Sequence, residues 1–168
     1  NQTAIGSVTA TDADGDSLTY SISGSEINIS SSGVLTFASA PDYETKTSYT
    51  ATVTVSDGIA SANQNIEVNI NNLNDNSPSF TSNATFTADE NQTAIGSVTA
   101  TDADGDAIVY SISGSDITIN SSSGVIAFVS APDYETKAVY TATVTASDGT
   151  YSTTQLITIN VNDILGCL

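Results

Sequence analysis

Apolar and polar residues alternate with a period of two along much of this chain. The clearest runs are Tyr49-Thr-Ala-Thr-Val-Thr-Val55 and Ile66-Glu-Val-Asn-Ile70; shorter ones span Ile5 to Thr11, Leu18 to Ile22 and Val34 to Phe37. Successive side chains of a strand point to opposite faces, so this period predicts strands with one buried and one solvated face. The runs are punctuated by Asp-Ala-Asp-Gly-Asp, Ser-Ser-Gly, Ala-Pro-Asp and Ser-Asp-Gly. These are turn sequences, because Gly, Pro, Asn, Asp and Ser supply the dihedrals or local hydrogen bonds that turns require. No stretch carries a convincing helical period.

The pattern is written twice. Residues 1–16, NQTAIGSVTATDADGD, recur unchanged at 91–106. Tyr20–Ser25 returns as Tyr110–Ser115, Ala40–Lys46 as Ala131–Lys137, and Ser56-Asp57-Gly58 as Ser147-Asp148-Gly149. The offset is 90 residues at first and 91 after one inserted residue. A repeat of this length sets the domain count before any fold argument. We expect a first repeat over 1–76, with a linker at 72–76, and a second over 77–168.

Roughly seven short strands in about 90 residues predict a Greek-key, immunoglobulin-like β-sandwich. The expected fold is therefore all-β, two such seven-stranded sandwiches in tandem. The second repeat has a lead-in, Phe80 to Glu90, that reads as an edge strand. The first begins at Asn1 with no counterpart, so it is expected to lack its N-terminal strand, or to receive it from another molecule. A bare strand edge invites pairing.

Composition narrows the function. Among 168 residues there are 19 acids, two bases (Lys46 and Lys137) and no His, for a formal charge of -17. Such a charge opposes binding to nucleic acid or an anionic membrane, which requires basic patches. Hydrophobic residues make up 39% of the chain and alternate regularly, which favours a folded domain over a disordered acidic one. The lone thiol, Cys167, allows neither an internal disulfide nor a Cys-based metal site. No apolar run is long enough to insert directly into a membrane, and a signal or anchor is expected outside this segment.

Most of the acids sit in turns or at strand ends. Asp12, Asp14, Asp16, Asp42, Glu44, Asp57 and Asp75 belong to the first repeat and linker. Asp89, Glu90, Asp102, Asp104, Asp106, Asp133, Glu135 and Asp148 belong to the second. Converging carboxylates repel by about 1 kcal/mol per pair at 4 Å in water, and by more when less solvated. Two lysines cannot offset that, so a cation from solution is the natural partner. Hard oxygen donors without His or Cys favour Ca²⁺. The Asp12-Ala-Asp14-Gly-Asp16 stretch is not an EF-hand loop, because glycine falls at its fourth position and Ser23 at its twelfth.

Four segments in order now resemble cadherin repeats: "TATDADGD", "SSGVLTFASAPDYE", "YTATVTVSDG" and the linker "NLNDNSPSF". The wording is closest in style to bacterial cadherin-like domains of surface proteins. The resemblance implies calcium at the junction between repeats, held by Asp42 and Glu44, by Asn72, Asn74, Asp75 and Asn76, and by Asp102, Asp104 and Asp148. Asp106 is a further junction candidate, near a position where the family often uses Asn. Asn72 departs from the family's leading linker Asp. Weaker, incomplete outer clusters are expected from Asp12, Asp14 and Asp57, and from Glu90, Asp133 and Glu135.

The resemblance further implies an extracellular or cell-surface adhesion module, with neighbouring repeats as partners and a homophilic protein contact or polysaccharide outside the array. A calcium-dependent polysaccharide-binding module is the alternative, with tyrosines such as Tyr20, Tyr43, Tyr49, Tyr110, Tyr134, Tyr140 and Tyr151 as stacking faces. The pairs Asp42/Glu44 and Asp133/Glu135 could imitate glycosidase carboxylates. Duplicated acids among other acids, without His or a nucleophile motif, read instead as metal ligands, and no enzyme is expected.

Overall fold

A computed structural model describes residues 1–164; Cys167 lies outside the described residues. The described residues form strands and turns and no helix, and the chain divides into two compact units, Asn1–Leu73 and Asn74–Leu168.

Unit 1 contains β1 (Ala4–Ser7), β2 (Thr19–Ile22), β3 (Ile27–Ile29), β4 (Val34–Phe37), β5 (Ser48–Ser56) and β6 (Ser61–Asn69). They form two antiparallel sheets, ordered β1-β4-β3 and β2-β5-β6. Ile27, Leu35, Phe37, Ala51 and Val53 are its buried core.

Unit 2 contains β7 (Ser79–Phe80), β8 (Thr85–Asp89), β9 (Ala94–Ser97), β10 (Ala100–Thr101), β11 (Val109–Ile112), β12 (Ile117–Ile119), β13 (Val125–Phe128), β14 (Val139–Ser147) and β15 (Ser152–Asn162). Its sheets run β11-β14-β15-β8 and β12-β13-β9, with β10 paired to β7. Along β14 Ala142, Val144 and Ala146 are buried while the threonines between them are not, as the period of two requires. On β15 Ile157 and Ile159 are fully buried. Each such side chain contributes about 1.5–3 kcal/mol relative to exposure.

The Phe80–Glu90 lead-in forms two strands. Phe80 belongs to β7, and β8 joins the four-stranded sheet at its edge, parallel to β15. Unit 1 has six strands and no counterpart of β8. The Ile5–Thr11 run is a strand only as far as Ser7, because the chain leaves the first sheet at Val8. The Val8 N–H donates to the Gly33 carbonyl at 2.8 Å, and Val98 does the same to Gly124 at 2.9 Å. Both glycines have positive φ, and a Cβ there would lie 2.2 Å from the Val8 oxygen and 2.1 Å from the Val98 oxygen. Only glycine fits such an approach. The three-residue strands β3 and β12 are too short to announce themselves by period.

Candidate metal centre

The acidic turns are organised by their own backbone. In the loop after β10, Asp102 Oδ1 accepts the Asp104 N–H at 2.9 Å and the Asp106 N–H at 3.3 Å. This Asx-type turn curls the loop around one carboxylate. One oxygen from each of Asp102, Asp104 and Asp106 lies within 4.8 Å of the others.

The segment at the start of unit 2 closes on that loop. Asp104 Oδ2 accepts the N–H groups of Asp75 at 3.0 Å and Asn76 at 2.8 Å, and its Oδ1 accepts the Asn76 side-chain amide at 2.9 Å. That amide also donates to Asp75 Oδ1 at 3.0 Å. Asp104 is 9% exposed, whereas Asp14, in the identical sequence of unit 1, is exposed.

Asp148 completes the group from the turn between β14 and β15. Its Oδ1 accepts the Thr150 and Tyr151 N–H groups at 2.6 and 2.7 Å. Desolvation pushes its carboxyl up and is the largest single influence. The Tyr151 and Thr150 N–H groups and the Asn74 amide together outweigh desolvation and the Asp104 charge, so the carboxyl ends below its usual range.

Three buried oxygens here accept no hydrogen bond: Asn74 Oδ1, Asp102 Oδ2 and Asp148 Oδ2. The Asn74 amide is near enough to favour the Asp148 carboxylate electrostatically without reaching Oδ2 in hydrogen-bond geometry. A buried acceptor without a donor costs about 1–3 kcal/mol. A hard cation satisfies oxygens of this kind, and the donor set of carboxylate and amide oxygens without His or Cys fits Ca²⁺.

No lysine does this work. Lys46 Nζ meets both oxygens of Glu26 at 2.7 and 2.6 Å and lies 4.4 Å from the centre of the Tyr49 ring. Lys137 repeats the arrangement with Asp116 at 2.8 Å and Tyr140 at 4.1 Å. Both bases are thus committed in the same way, one in each unit.

Unit 2 therefore brings Asn74, Asp75, Asn76, Asp102, Asp104, Asp106 and Asp148 together. Asp42, Glu44 and Asn72 belong to unit 1, where all three are exposed. There Asp42 Oδ1 accepts the Glu44 N–H at 3.2 Å and its Oδ2 accepts the Thr45 hydroxyl at 2.6 Å. The Thr45 hydroxyl first, then Glu44, hold the Asp42 carboxyl below its usual range. Asp133 is held likewise by Thr136 and Glu135. These threonines position the carboxylates and were not singled out from sequence; their signal is the repeated Asp-Tyr-Glu-Thr.

Of the outer groups, Asp12 and Asp57 line one shallow depression of about 180 Å³ in unit 1. Asp12 Oδ1 accepts the Asp14 N–H at 2.8 Å, and Asp57 Oδ1 accepts the Ile59 and Ala60 N–H groups at 2.7 Å each. In unit 2, oxygens of Glu90, Asp133 and Glu135 converge within 4.8 Å. Glu90 is 8% exposed and accepts the Tyr134 N–H at 3.1 Å and the Ile164 N–H at 2.9 Å. The backbone N–H of Glu135 lowers that residue's own carboxyl. The Asp133 side chain, desolvation, and the charges of Glu90 and Asp163 outweigh it and hold the carboxyl above its usual range.

The tyrosines divide between core and surface. The Tyr20 and Tyr110 hydroxyls accept the N–H groups of Ala10 and Ala100, and Tyr49 and Tyr140 pack edge-on against Phe37 and Phe128. Tyr134 and Tyr151 are exposed.

Comparison with known proteins bears on the fold. The sequence profile of the cadherin domain matches residues 84–162, the body of unit 2. No curated protein sequence matches the chain. Among solved structures, mouse cadherin-23 repeats EC22–24 match with a TM-score of 0.81 at 27% identity, over 96% of this chain and 60% of that one. Human protocadherin-24 EC1–2 matches with a TM-score of 0.79 at 26% identity, over 97% of this chain and 89% of that one. Drosophila N-cadherin EC1–4, at 22% identity and a TM-score of 0.80, covers 97% of this chain and 46% of its own, and supports the fold alone. The chain thus spans 60% of the cadherin-23 fragment. Cadherin repeats are extracellular adhesion domains that typically bind Ca²⁺. No helix among the described residues is long and apolar enough to cross a membrane. The matched profile makes residues 84–162 a cadherin domain, and the repeated sequence and the two all-β units make the whole chain similar to cadherin repeats in tandem.

Proposed function

We propose that this chain is a calcium-stiffened spacer and adhesion module of a larger surface protein, with Ca²⁺ bound where its two repeats join. The observation that carries the reading is the set of three buried, donorless oxygens on Asn74, Asp102 and Asp148. They stand beside the Asp104 carboxylate that already holds the linker backbone.

On this reading Asn74, Asp75, Asn76, Asp102, Asp104, Asp106 and Asp148 supply the second repeat's share of the site. Asp42, Glu44 and Asn72 supply the first repeat's share, with 72–76 as the linker. Bound calcium supplies charge cancellation among carboxylates that otherwise repel. The chain's own part is to hold those oxygens in place through the turn hydrogen bonds at Asp102, Asp104 and Asp148. Asp12, Asp14 and Asp57 at one end, and Glu90, Asp133 and Glu135 at the other, are partial sites that neighbouring repeats complete. The partners are adjacent repeats and a surface in trans, and the module is not an enzyme. Extracellular modules commonly bind calcium at about 10⁻⁴–10⁻³ M.

Calorimetric titration of Ca²⁺ into the wild type beside Asp75→Ala tests the assignment. Loss of the tightest binding phase in the variant is expected; an unchanged titration sinks it. Small-angle scattering with calcium and with chelator tests the stiffening, which requires the maximum dimension or flexibility to change.

A further inference from the structure

Five Asn-x-Ser/Thr triplets start at Asn1, Asn28, Asn83, Asn91 and Asn120. In a protein that passes through a secretory compartment, such a triplet on a reachable surface segment accepts an N-linked glycan. All five asparagines are exposed, so exposure does not choose between them. Their hydrogen-bond partners do.

Asn120 and Asn28 are tied into local structure. Asn120 Oδ1 accepts the Ser122 and Ser123 N–H groups at 3.0 and 2.9 Å, and its backbone closes on Gly124 and Val125. Asn28 lies inside β3 opposite Thr36. The hydroxyl of its triplet, on Ser30, stands 2.9 Å from that of Ser32 and accepts the Val34 N–H at 3.0 Å. Contacts spanning so few residues close quickly, while the chain is still emerging, and fold the triplet before it is modified. Asn91 has a φ of 63° and donates its N–H to Pro132 at 2.9 Å, and Asn1 repeats the contact with Pro41 at 3.3 Å. Asn91 also directly follows Glu90, whose carboxylate converges with those of Asp133 and Glu135.

Asn83 differs on each count. It lies in the bend between β7 and β8, and no hydrogen bond among the described residues holds its backbone or side chain. The bonds on either side run from the Thr81 N–H to Thr99 and from the Thr158 N–H to Ala84, both between segments distant in sequence. Such contacts close large loops and form late, which leaves the triplet extended in the meantime. Thr85, which carries the triplet's hydroxyl, is exposed at the first position of β8.

We infer that Asn83 is the acceptor of an N-linked glycan, within the triplet Asn83-Ala84-Thr85. In the transfer, Asn83 Nδ2 bonds to C1 of the first sugar of a lipid-linked oligosaccharide. The bond from C1 to the pyrophosphate breaks, and the amide nitrogen gives up one proton. The Thr85 hydroxyl is the group by which the triplet is recognised. Asn83 makes no bond that the fold uses, so its modification removes no contact from unit 2. The inference rests on the surface-protein reading for passage through a secretory compartment, and it does not depend on calcium.

The test secretes the full chain from cultured eukaryotic cells behind a supplied signal sequence and maps its glycopeptides by mass spectrometry. Supplying the signal separates failure of this inference from failure of the surface-protein reading. Occupancy at Asn83 is expected to exceed that at each of the other four asparagines by at least about fivefold. Thr85→Ala should cut it by at least about tenfold, and Thr85→Ser should restore part of it. Asn83→Gln, which keeps Thr85, should be secreted folded and lighter by one glycan. Folded, secreted chain without sugar at Asn83 would overturn the inference. So would heavier occupancy at Asn28, Asn91 or Asn120, or undiminished modification of Asn83 in Thr85→Ala.

Discussion

Asp104 holds Asn76 twice: its Oδ2 accepts the Asn76 backbone N–H at 2.8 Å and its Oδ1 accepts the Asn76 side-chain amide at 2.9 Å. With the Asp75 N–H on the same carboxylate, one acid fixes two consecutive residues of the linker before any ion is considered. Bonds to a charged acceptor are the strong ones.

Asp104→Ala should therefore weaken the linker and the metal site together. In chelator, unit 2 is expected to lose roughly 1–3 kcal/mol, because three donors lose their acceptor. In calcium, the tightest binding phase should weaken by about tenfold or more, since the charge count of the site sets its affinity. Chemical denaturation and calorimetry read the two effects separately.

Calcium should raise stability with the logarithm of its free concentration once that exceeds the dissociation constant. At free Ca²⁺ ten times the dissociation constant, about 1.4 kcal/mol of added stability is expected by mass action. Mg²⁺ at the same concentration should give less, because it surrenders its waters reluctantly. Thermal unfolding in chelator, Mg²⁺ and Ca²⁺ checks the order.

The metal-free protein should respond to acid in two directions. Asp148, Asp57, Asp42 and Asp133 all sit below the usual 3.8 in the folded state, held there by turn donors. Their contribution is present at neutral pH and is lost as pH falls through the folded values, below 3.8. Glu135 sits above the usual 4.5, so its contribution is present below 4.5 and is lost as pH rises through its folded value. Melting temperature should rise slightly from neutral pH toward 4.5, then fall below 3.8. Glu135→Gln should remove the rise, and Asp148→Asn should flatten the fall.

Replacing the lysines should touch stability and leave calcium alone. The Lys46–Glu26 and Lys137–Asp116 pairs are about half exposed, so each ion pair contributes little, roughly 0–1 kcal/mol. The tyrosine contact adds about 0.5–1 kcal/mol. Lys137→Met is expected to cost unit 2 about 1 kcal/mol with an unchanged calcium titration. A change in affinity would show that the base reaches the acidic cluster.

Gly124→Ala and Gly105→Ala separate crowding from backbone strain. Both positions have positive φ, but a Cβ at Gly124 would lie 2.1 Å from the Val98 oxygen while one at Gly105 meets nothing within 4 Å. Gly105→Ala should cost about 1 kcal/mol of strain. Gly124→Ala should cost several times that and cut the bond from Val98 to Gly124, and equilibrium unfolding measures the difference.

By itself the sequence determined the all-β class, the doubling of the unit and the faces of the long strands. Each depends on information local to the chain: a period of two in Tyr49–Val55, and a repeat of residues 1–16 at 91–106. The locations of the acidic turns were legible for the same reason. Tertiary structure alone decided which partners those local pieces take. The parallel pairing of Thr85–Asp89 with Thr158–Asn162 joins residues more than 70 positions apart, and neither strand's pattern names the other. The difference between Asp14 and Asp104 lies in what their surroundings place nearby, since the sequence around both is the same. That Asn74, Asp102 and Asp148 each bury an oxygen without a donor is a property of three segments packed together, because satisfaction of a polar atom depends on every neighbour in space.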